Sequence, residues 1–234
     1  EAVDEALNRI DEAMENLTDC IDFHPRDVAA FQARLLAARA FVEKAEPDKA
    51  AQMLQANLDG RLAPSSVEWR QTLFAKGRLR HLEADYQKAV PLLEEALQRY
   101  PNDPEALEAR YLLADSYRRI GLQLREQLSA SQVRHIRLSR MQESQTAFQK
   151  ALAQYRELLN ILSRTQINRP LTPWEKVLLR NTLFGMGESA VRLGDHTAAL
   201  EAYTAVANRF QSEPVALMAY FQMAGVYREL GQPE

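Results

Sequence analysis

The sequence has few residues that interrupt helices or cross-link chains. Its 234 residues include 8 glycines and 1 cysteine, Cys20. A single cysteine cannot form a disulfide within the chain. Runs of β-branched residues are almost absent, whereas Ala, Leu, Glu, Gln and Arg, which favour helices, dominate the sequence. The composition therefore predicts an all-α protein.

Long apolar runs and a large excess of one charge are also lacking. No stretch approaches the ~20 apolar residues that a membrane-spanning helix needs. The net charge of −3 gives no global tendency to bind nucleic acid or anionic membranes. We therefore expect no membrane insertion of this segment and do not expect nucleic acid as a partner. The chain begins at Glu1 rather than Met, so we expect a fragment of a longer protein.

Sequence motifs of catalysis and metal binding are missing as well. The four histidines are isolated from one another in the sequence. The patterns H-E-x-x-H, C-x-x-C and G-x-S-x-G do not occur, and neither does a phosphate-binding glycine loop. We therefore predict that the protein is not an enzyme, with no catalytic residues, no cofactor and no metal.

What the sequence does contain is helical periodicity interrupted by short corners. The first segment has one apolar stripe at alternating intervals of four and three residues, formed by Val3, Leu7, Ile10, Met14, Leu17 and Ile21. Further helices are expected at about 27–44, 48–58 and 196–210, and after the pair Glu213-Pro214. The whole chain is expected to form about ten helices.

Several expected helix boundaries have recognisable caps. Ser65 and Glu68 form a capping-box pattern, and the sequence from Thr172 to Glu175 combines an N-cap, a proline and a capping-box glutamate. Asp103-Pro104 predicts another helix start immediately after Pro101. Gly194 should follow the end of the helix that Thr172 opens. Short corners of this kind favour a chain of helical hairpins.

One residue pattern occurs four times and favours stacked hairpins. Each copy has an aromatic residue, then a small residue three positions later. The aromatic residues are Phe74, Tyr111, Phe184 and Phe221, and the small residues are Gly77, Ala114, Gly187 and Ala224. In the second helices, an alanine precedes a bulky residue by four positions at Ala89–Leu93, Ala151–Tyr155 and Ala199–Tyr203. A small residue lets two helices approach closely, and a bulky residue fills the neighbouring gap.

At these residues the sequence resembles the tetratricopeptide repeat (TPR) family. The resemblance implies an all-α, TPR-like right-handed α-solenoid of antiparallel helical hairpins in a single domain, 1–234. Residues 1–64 would be degenerate helices, and 65–234 would be repeats. The last repeat stops after one helix, so we expect the array to continue beyond Glu234. The repeated alanines are farther apart than in the family, which predicts one hairpin with elongated helices around 122–145.

The corner at Tyr100–Pro104 suggests a subset of this family. Its Tyr-Pro-Asn-Asp-Pro sequence is similar to that of bacterial cell-envelope members, of the Tol–Pal-associated and outer-membrane-assembly kind. That similarity favours a periplasmic or cell-envelope location over a cytoplasmic one.

The resemblance also implies a function. Members of the family act as non-catalytic protein–protein interaction scaffolds that hold a peptide or helix of a partner protein in a concave groove. The groove residues implied here are Phe74, Arg78, Tyr111, Asp115, Arg118, Phe184, Glu188, Phe221 and Arg228. The aromatic residues among them could instead pack between helices, and the sequence leaves both interpretations open.

A basic cluster supports an alternative function. Besides Arg118 it contains Arg119, Arg125, Arg134, Arg137 and Arg140. Such a cluster is a solvated helix face, or a docking patch for an acidic partner or RNA. The cluster lacks aromatic residues for base stacking, which weakens the RNA interpretation. A nucleic-acid-associated or regulatory module is therefore the alternative to the scaffold. The sequence does not reveal the partner's identity or the oligomeric state.

Overall fold

The computed structural model describes residues 2–59, 62–130 and 133–231, without the side chains of 2–8, 129 and 130. The side chains of Val3 and Leu7, which belong to the predicted apolar stripe of the first helix, are therefore not among those described. The described residues form ten α-helices and no strand, which confirms the predicted helical class. The helices are α1 (Ala2–Phe23), α2 (Val28–Glu43), α3 (Pro47–Leu58), α4 (Val67–Leu82), α5 (Tyr86–Arg99), α6 (Ala106–Ala130), α7 (Arg134–Asn168), α8 (Pro173–Leu193), α9 (His196–Arg209) and α10 (Val215–Glu229).

Local capping determines where α4 and α8 begin. Thr172 and Glu175 form the predicted capping box: the Glu175 amide donates to Thr172 Oγ1 at 3.2 Å, and the Thr172 amide donates to Glu175 Oε2 at 2.8 Å. Gly194 follows α8 with a φ of 78°, in the left-handed region that favours glycine. The predicted cap Ser65 is wrong, because Ser66 accepts the Trp69 amide hydrogen bond at 3.2 Å. Ser66 directly precedes the first helical residue, and Ser65 does not.

The corner before α6 is longer than predicted. Instead of starting at Pro104, α6 starts at Ala106. Asp103 Oδ1 accepts a hydrogen bond from the Glu105 amide at 2.8 Å, and Asp103 Oδ2 lies 2.8 Å from Arg70 Nε of α4. Asp103 therefore caps a turn ahead of the helix and ties that turn to α4.

The chain divides by its contacts into two compact units, residues 1–109 and 110–234, and the division falls within α6. In the first unit, α2 contacts α1, α3 and α4, and α4 also contacts α3 and α5. Its core includes Leu35, Ala38, Ala50, Leu54 and Leu79. The buried Asn57 links three helices, since its Nδ2 donates to the Phe31 carbonyl at 2.9 Å and to Thr72 Oγ1 at 3.2 Å. The N-terminal helices thus form packed hairpins although their repeat pattern is poor.

Small residues face bulky ones across the helix pairs, as the repeat pattern predicts. In the first unit, a Cβ atom added to Gly77 of α4 would lie 2.7 Å from Leu93 Cδ2 of α5. In the second unit, a Cβ on Gly187 of α8 would lie 2.5 Å from Tyr203 Cε1 of α9. Neither glycine could become a larger residue without displacing its neighbour. These close approaches confirm the small–bulky pairing inferred from the sequence.

The second unit contains the predicted elongated hairpin, α6–α7. Gly121 lies inside α6, where its carbonyl accepts a hydrogen bond from Ser144 Oγ of α7 at 2.8 Å. Farther along α7, Tyr155 packs against Gly185 of α8, and α8 ends eight residues later at Leu193. Because α7 and α8 are antiparallel, the end of α8 is level with about residue 147 of α7. The first ~13 residues of α7 therefore extend about 20 Å past α8.

Candidate partner-binding groove

Seven of the nine predicted groove residues surround two adjoining concavities in the second unit. The smaller has a volume of about 290 Å³ and is lined by α6, α7 and α8 through Tyr111, Asp115, Arg118, Tyr155, Asn181, Phe184, Gly185 and Glu188. The larger has a volume of about 920 Å³, and its lining from α8, α9 and α10 includes Phe184, Glu188, Tyr203, Phe221 and Arg228. Phe184 and Glu188 line both. We call the combined surface the α8 groove.

An ion-pair network forms one wall of the α8 groove. Arg118 donates from Nε to Asp115 Oδ1 at 2.9 Å and from Nη1 to Glu188 Oε2 at 2.6 Å. Asp115 is 5% exposed, and Arg119 Nε lies 3.5 Å from its Oδ2. Burial disfavours the Arg118 cation, but Asp115, Tyr155 and Glu188 together hold the Arg118 pKa above its usual value. Arg118 therefore links α6 to α8 as a permanent cation.

Two tyrosines extend this network into the core. The fully buried Tyr155 donates from its hydroxyl to Asp115 Oδ1 at 3.3 Å, and its ring lies 6.2 Å from that of Tyr111. Burial raises the pKa of both phenols, and the Asp115 carboxylate raises it further. Both tyrosines are therefore neutral in the physiological pH range and can act as hydrogen-bond donors.

Helix α10 provides the most exposed part of the groove. Phe184 of α8 has the Tyr203 ring of α9 beside it, with centroids 6.0 Å apart. Phe221 of α10 occupies the same repeat position as Phe184 but is 77% exposed. The neighbouring Tyr220 is also exposed. Both aromatic side chains line the larger concavity.

The other two predicted groove residues lie in the first unit and do not offer such a surface. Phe74 is 1% exposed, and its ring lies 6.3 Å from that of Tyr100, so it is a core residue. Arg78 forms hydrogen bonds to Glu108 Oε1 and Oε2 at 3.2 and 2.7 Å and to Glu105 Oε2 at 3.0 Å. For Phe74 the structure thus favours the packing interpretation. Neither residue lines the α8 groove.

The basic cluster does not form one uniform patch. Arg119 contacts Asp115, Arg125 Nη2 donates to the Arg192 carbonyl, and Arg140 Nη1 donates to the Gln127 carbonyl at 3.2 Å. Arg134 and Arg137 lie exposed at the start of α7. The cluster is therefore divided between arginines that contact the protein and the exposed pair Arg134 and Arg137 near the hairpin end.

Some groove residues escaped the sequence prediction. Tyr155 and Tyr203 were recognised as the bulky members of the repeat pattern, but the sequence did not indicate that they also line the groove. Asn181 carries no sequence signal, because it lies outside the repeated pattern and reaches the groove through its position on α8.

Two further observations concern the described residues as a whole. Among them, no group of three or more His, Cys, Asp or Glu residues is placed to hold a metal ion. Within the same residues, no helix combines the length and apolar character needed to cross a membrane.

The antiparallel helical hairpins and their small–bulky contacts define an all-α helical-repeat protein. The tetratricopeptide repeat family matches residues 75–123 and 184–234. These two stretches are tetratricopeptide repeats, which confirms the predicted resemblance where the repeat pattern is strongest. The residues between them, 124–183, include all of α7 and the outer part of α6. A search of the curated proteins found no match.

Similar solved structures support the same fold. TPR-like repeats from a kinesin light chain-type protein of Podosopora anserina are 15% identical, with a TM-score of 0.61 over 90% of this chain and 94% of that chain. BtubC (BKLC) from P. vanneervenii is 11% identical, with a TM-score of 0.56 over 100% of this chain and 86% of that chain. These similarities confirm the all-α TPR-like class. The cell-envelope subset gains no support from them and stays a prediction.

Proposed function

We propose that this protein is a non-catalytic protein–protein interaction scaffold that holds a peptide or helix of a partner in the α8 groove. The main support for this proposal is that seven predicted groove residues cluster around two concavities, which share Phe184 and Glu188. Aromatic residues and arginines are enriched at protein interfaces and provide much of their binding energy. The organisation of residues 1–234 as a single domain stays a prediction.

A helix suits the α10 end of the groove better than an extended peptide. On α8, the equivalent face is covered by α9, whose Tyr203 ring lies over Gly187. On α10, the equivalent small residue is Ala224, which is exposed beside Phe221. A helix with one bulky side chain opposite Ala224, from a partner or from a continuation of the repeat array, would reproduce the α8–α9 contact.

The rigidity of the groove supports the same function. Arg118 fixes α6 to α8, and the rings of Tyr155 and Tyr203 fill the spaces beside Gly185 and Gly187. A preformed surface loses little conformational entropy when it binds a partner, so more of the interaction free energy appears as affinity.

The test is a comparison of exposed α10 variants in partner capture from the native organism, followed by titration of the purified partner. Phe221→Ala removes an exposed groove residue, and Ala224→Arg blocks the position where we expect the bulky partner side chain. Leu217→Ala with Met218→Ala is the matched control, since both side chains are exposed on α10 but do not line the groove.

We expect Phe221→Ala and Ala224→Arg to weaken binding at least about tenfold, the size of effect typical of an interface anchor. The control should bind like the wild type, and circular dichroism should show equal folding of all variants. Equal binding by every variant would move the partner site away from this groove.

A further inference from the structure

The free end of the α6–α7 hairpin has a surface that is separate from the α8 groove. We define the hairpin tip as residues 122–128 of α6 and 133–143, at the start of α7. It lies beyond the end of α8: Arg125 Nη2 contacts the carbonyl of Arg192, two residues before Gly194. The tip shares no residue with either concavity of the groove. Its solvent-facing residues therefore do not serve the proposed groove function.

The tip has a net positive charge in an otherwise acidic chain. Its residues 122–128 and 133–143 contain four arginines and two acidic residues, Glu126 and Glu143, whereas the whole chain has a net charge of −3. Arg125 and Arg140 are held by backbone carbonyls, so their direction is fixed. Arg134 and Arg137 are exposed on the first turns of α7. The tip therefore presents net positive charge to solvent, and Arg134 and Arg137 are its exposed part.

Apolar side chains accompany these charges on one helix face. Leu138 and Met141 of α7 are 55% and 46% exposed. Residues 134, 137, 138 and 141 are spaced three and four apart, so they lie along one side of the helix. This face combines two arginines with two exposed apolar residues. Arginine and methionine are both enriched at protein interfaces, and methionine adapts its shape to different neighbours.

We propose that the face formed by Arg134, Arg137, Leu138 and Met141 docks an acidic amphipathic helix of a partner protein. The partner's carboxylates would pair with the arginine guanidiniums, while its apolar side chains would cover Leu138 and Met141. The charge complementarity selects an acidic partner, and the apolar pair selects one that is amphipathic rather than merely anionic.

Composition favours a protein over the other anionic partners. Residues 119–147 contain no Phe, Tyr or Trp. Single-stranded nucleic acids are typically held by aromatic side chains that stack on the bases. Helices that lie on membrane surfaces typically insert Trp, Phe or Leu side chains, and the tip would offer Leu alone among these. Both alternatives therefore become outcomes of the test.

The test measures binding of defined probes by fluorescence anisotropy. The first probe is a labelled peptide of about 20 residues, rich in Glu, with Leu at helical three–four spacing. A second peptide has the same composition in scrambled order, which removes the apolar stripe and keeps the charge. Poly-uridine RNA and phosphatidylserine vesicles are the remaining probes.

Charge reversal at the tip is compared with a matched reversal elsewhere on the same helix. Arg134→Glu with Arg137→Glu reverses the tip. Arg156→Glu with Arg164→Glu makes the same change in net charge at two exposed positions of α7 outside the tip. Leu138→Ser with Met141→Ser tests the apolar part. All six positions are exposed, and thermal unfolding monitors the fold of each variant.

We expect the amphipathic acidic peptide to bind the wild type, and we expect the tip reversal to weaken this binding at least about tenfold, with little effect of the control reversal. The serine variant should also weaken it, and the scrambled peptide should bind less tightly. Equal effects of the two reversals, equal binding of both peptides, or tip-dependent binding of only RNA or vesicles would overturn the proposal. Absence of any peptide binding would overturn it as well.

Discussion

Tyr203 of α9 occupies the space that a side chain at Gly187 of α8 would need. A Cβ atom on Gly187 would lie 2.5 Å from Tyr203 Cε1, whereas a Cβ on Gly225 of α10 would have no neighbour within 4 Å. Both glycines lie inside helices of the same repeat type. Packing therefore requires a glycine at position 187 but not at position 225.

Replacing these two glycines by alanine should have opposite effects on stability. We expect Gly187→Ala to lower the free energy of unfolding by about 1–2 kcal/mol, because the clash with Tyr203 outweighs the better helix propensity of alanine. Gly225→Ala should raise it by up to about 1 kcal/mol. Urea unfolding followed by circular dichroism measures both. A stabilised Gly187→Ala protein would show that α8 and α9 are farther apart than the 2.5 Å approach implies.

The Asp115–Arg118 pair should be costly to break from one side. Asp115 is buried and receives two hydrogen bonds from the Arg118 guanidinium. We expect Arg118→Met to destabilise the protein by about 3 kcal/mol, because the Asp115 carboxylate stays buried without its main partner. Adding Asp115→Leu should recover part of the loss. Chemical unfolding of the two single variants and the double variant gives the coupling energy, and additive losses would contradict this account.

The capping box of α8 should make stability depend on acid pH. Its residue Glu175 receives hydrogen bonds from Arg169 Nη2 at 2.7 Å and Nη1 at 2.8 Å, and this lowers the pKa of the carboxyl to about 2. A lowered pKa in the folded state means that the carboxylate stabilises the fold above its ordinary pKa. That stabilisation is lost as the pH falls from there toward 2.

Glu175→Gln is the variant that tests this pH dependence. We expect it to be less stable than the wild type by about 1–2 kcal/mol at neutral pH, a value limited by the half-exposed Arg169 side chain. The two proteins should become more similar in stability below about pH 4.5. Thermal unfolding at several pH values measures the difference. The exposed Glu157 of α7 supplies the control, Glu157→Gln, for which a similar pH-dependent loss would argue against a special role of Glu175.

In the first unit, the buried amide of Asn57 should stabilise the contact of α2, α3 and α4. Its Nδ2 donates to the Phe31 carbonyl at 2.9 Å and to Thr72 Oγ1 at 3.2 Å. We expect Asn57→Ala to cost about 2 kcal/mol, because it leaves a buried carbonyl without its donor and creates a cavity. Asn160→Ala, at an exposed position of α7, should change the stability little. If urea unfolding showed equally small losses in the free energy of unfolding for both variants, the Asn57 amide would not stabilise this contact.

Much of the fold could be predicted because its signals are local. The cap at Thr172 and the glycine after α8 each act within one helical turn, so the sequence around them is sufficient. The wrong prediction of Ser65 as the cap of α4 also reflects a purely local signal. Two adjacent serines both suit a cap, and only the backbone of the corner decided that Ser66 accepts the hydrogen bond.

The candidate groove could be predicted only in part. The repeat register grouped Tyr111, Phe184 and Glu188, which line one concavity, because helices of one type carry equivalent residues on equivalent faces. It could not predict exposure. Phe74 and Phe221 occupy the same repeat position, yet one is 1% exposed and the other 77%. The difference arises from the neighbouring residues in space, such as Tyr100 beside Phe74.

The sequence by itself determined that the chain is helical, where most helices begin and end, and that its hairpins repeat. These properties follow from helix propensity, capping and periodicity, which act over a few neighbouring residues. Only the tertiary structure decided which charges meet. Arg118 reaches Glu188 across 70 positions of the sequence, whereas Arg134 and Arg137 at the hairpin tip face solvent. Such pairings depend on how helices are placed against one another, and no local pattern encodes that placement.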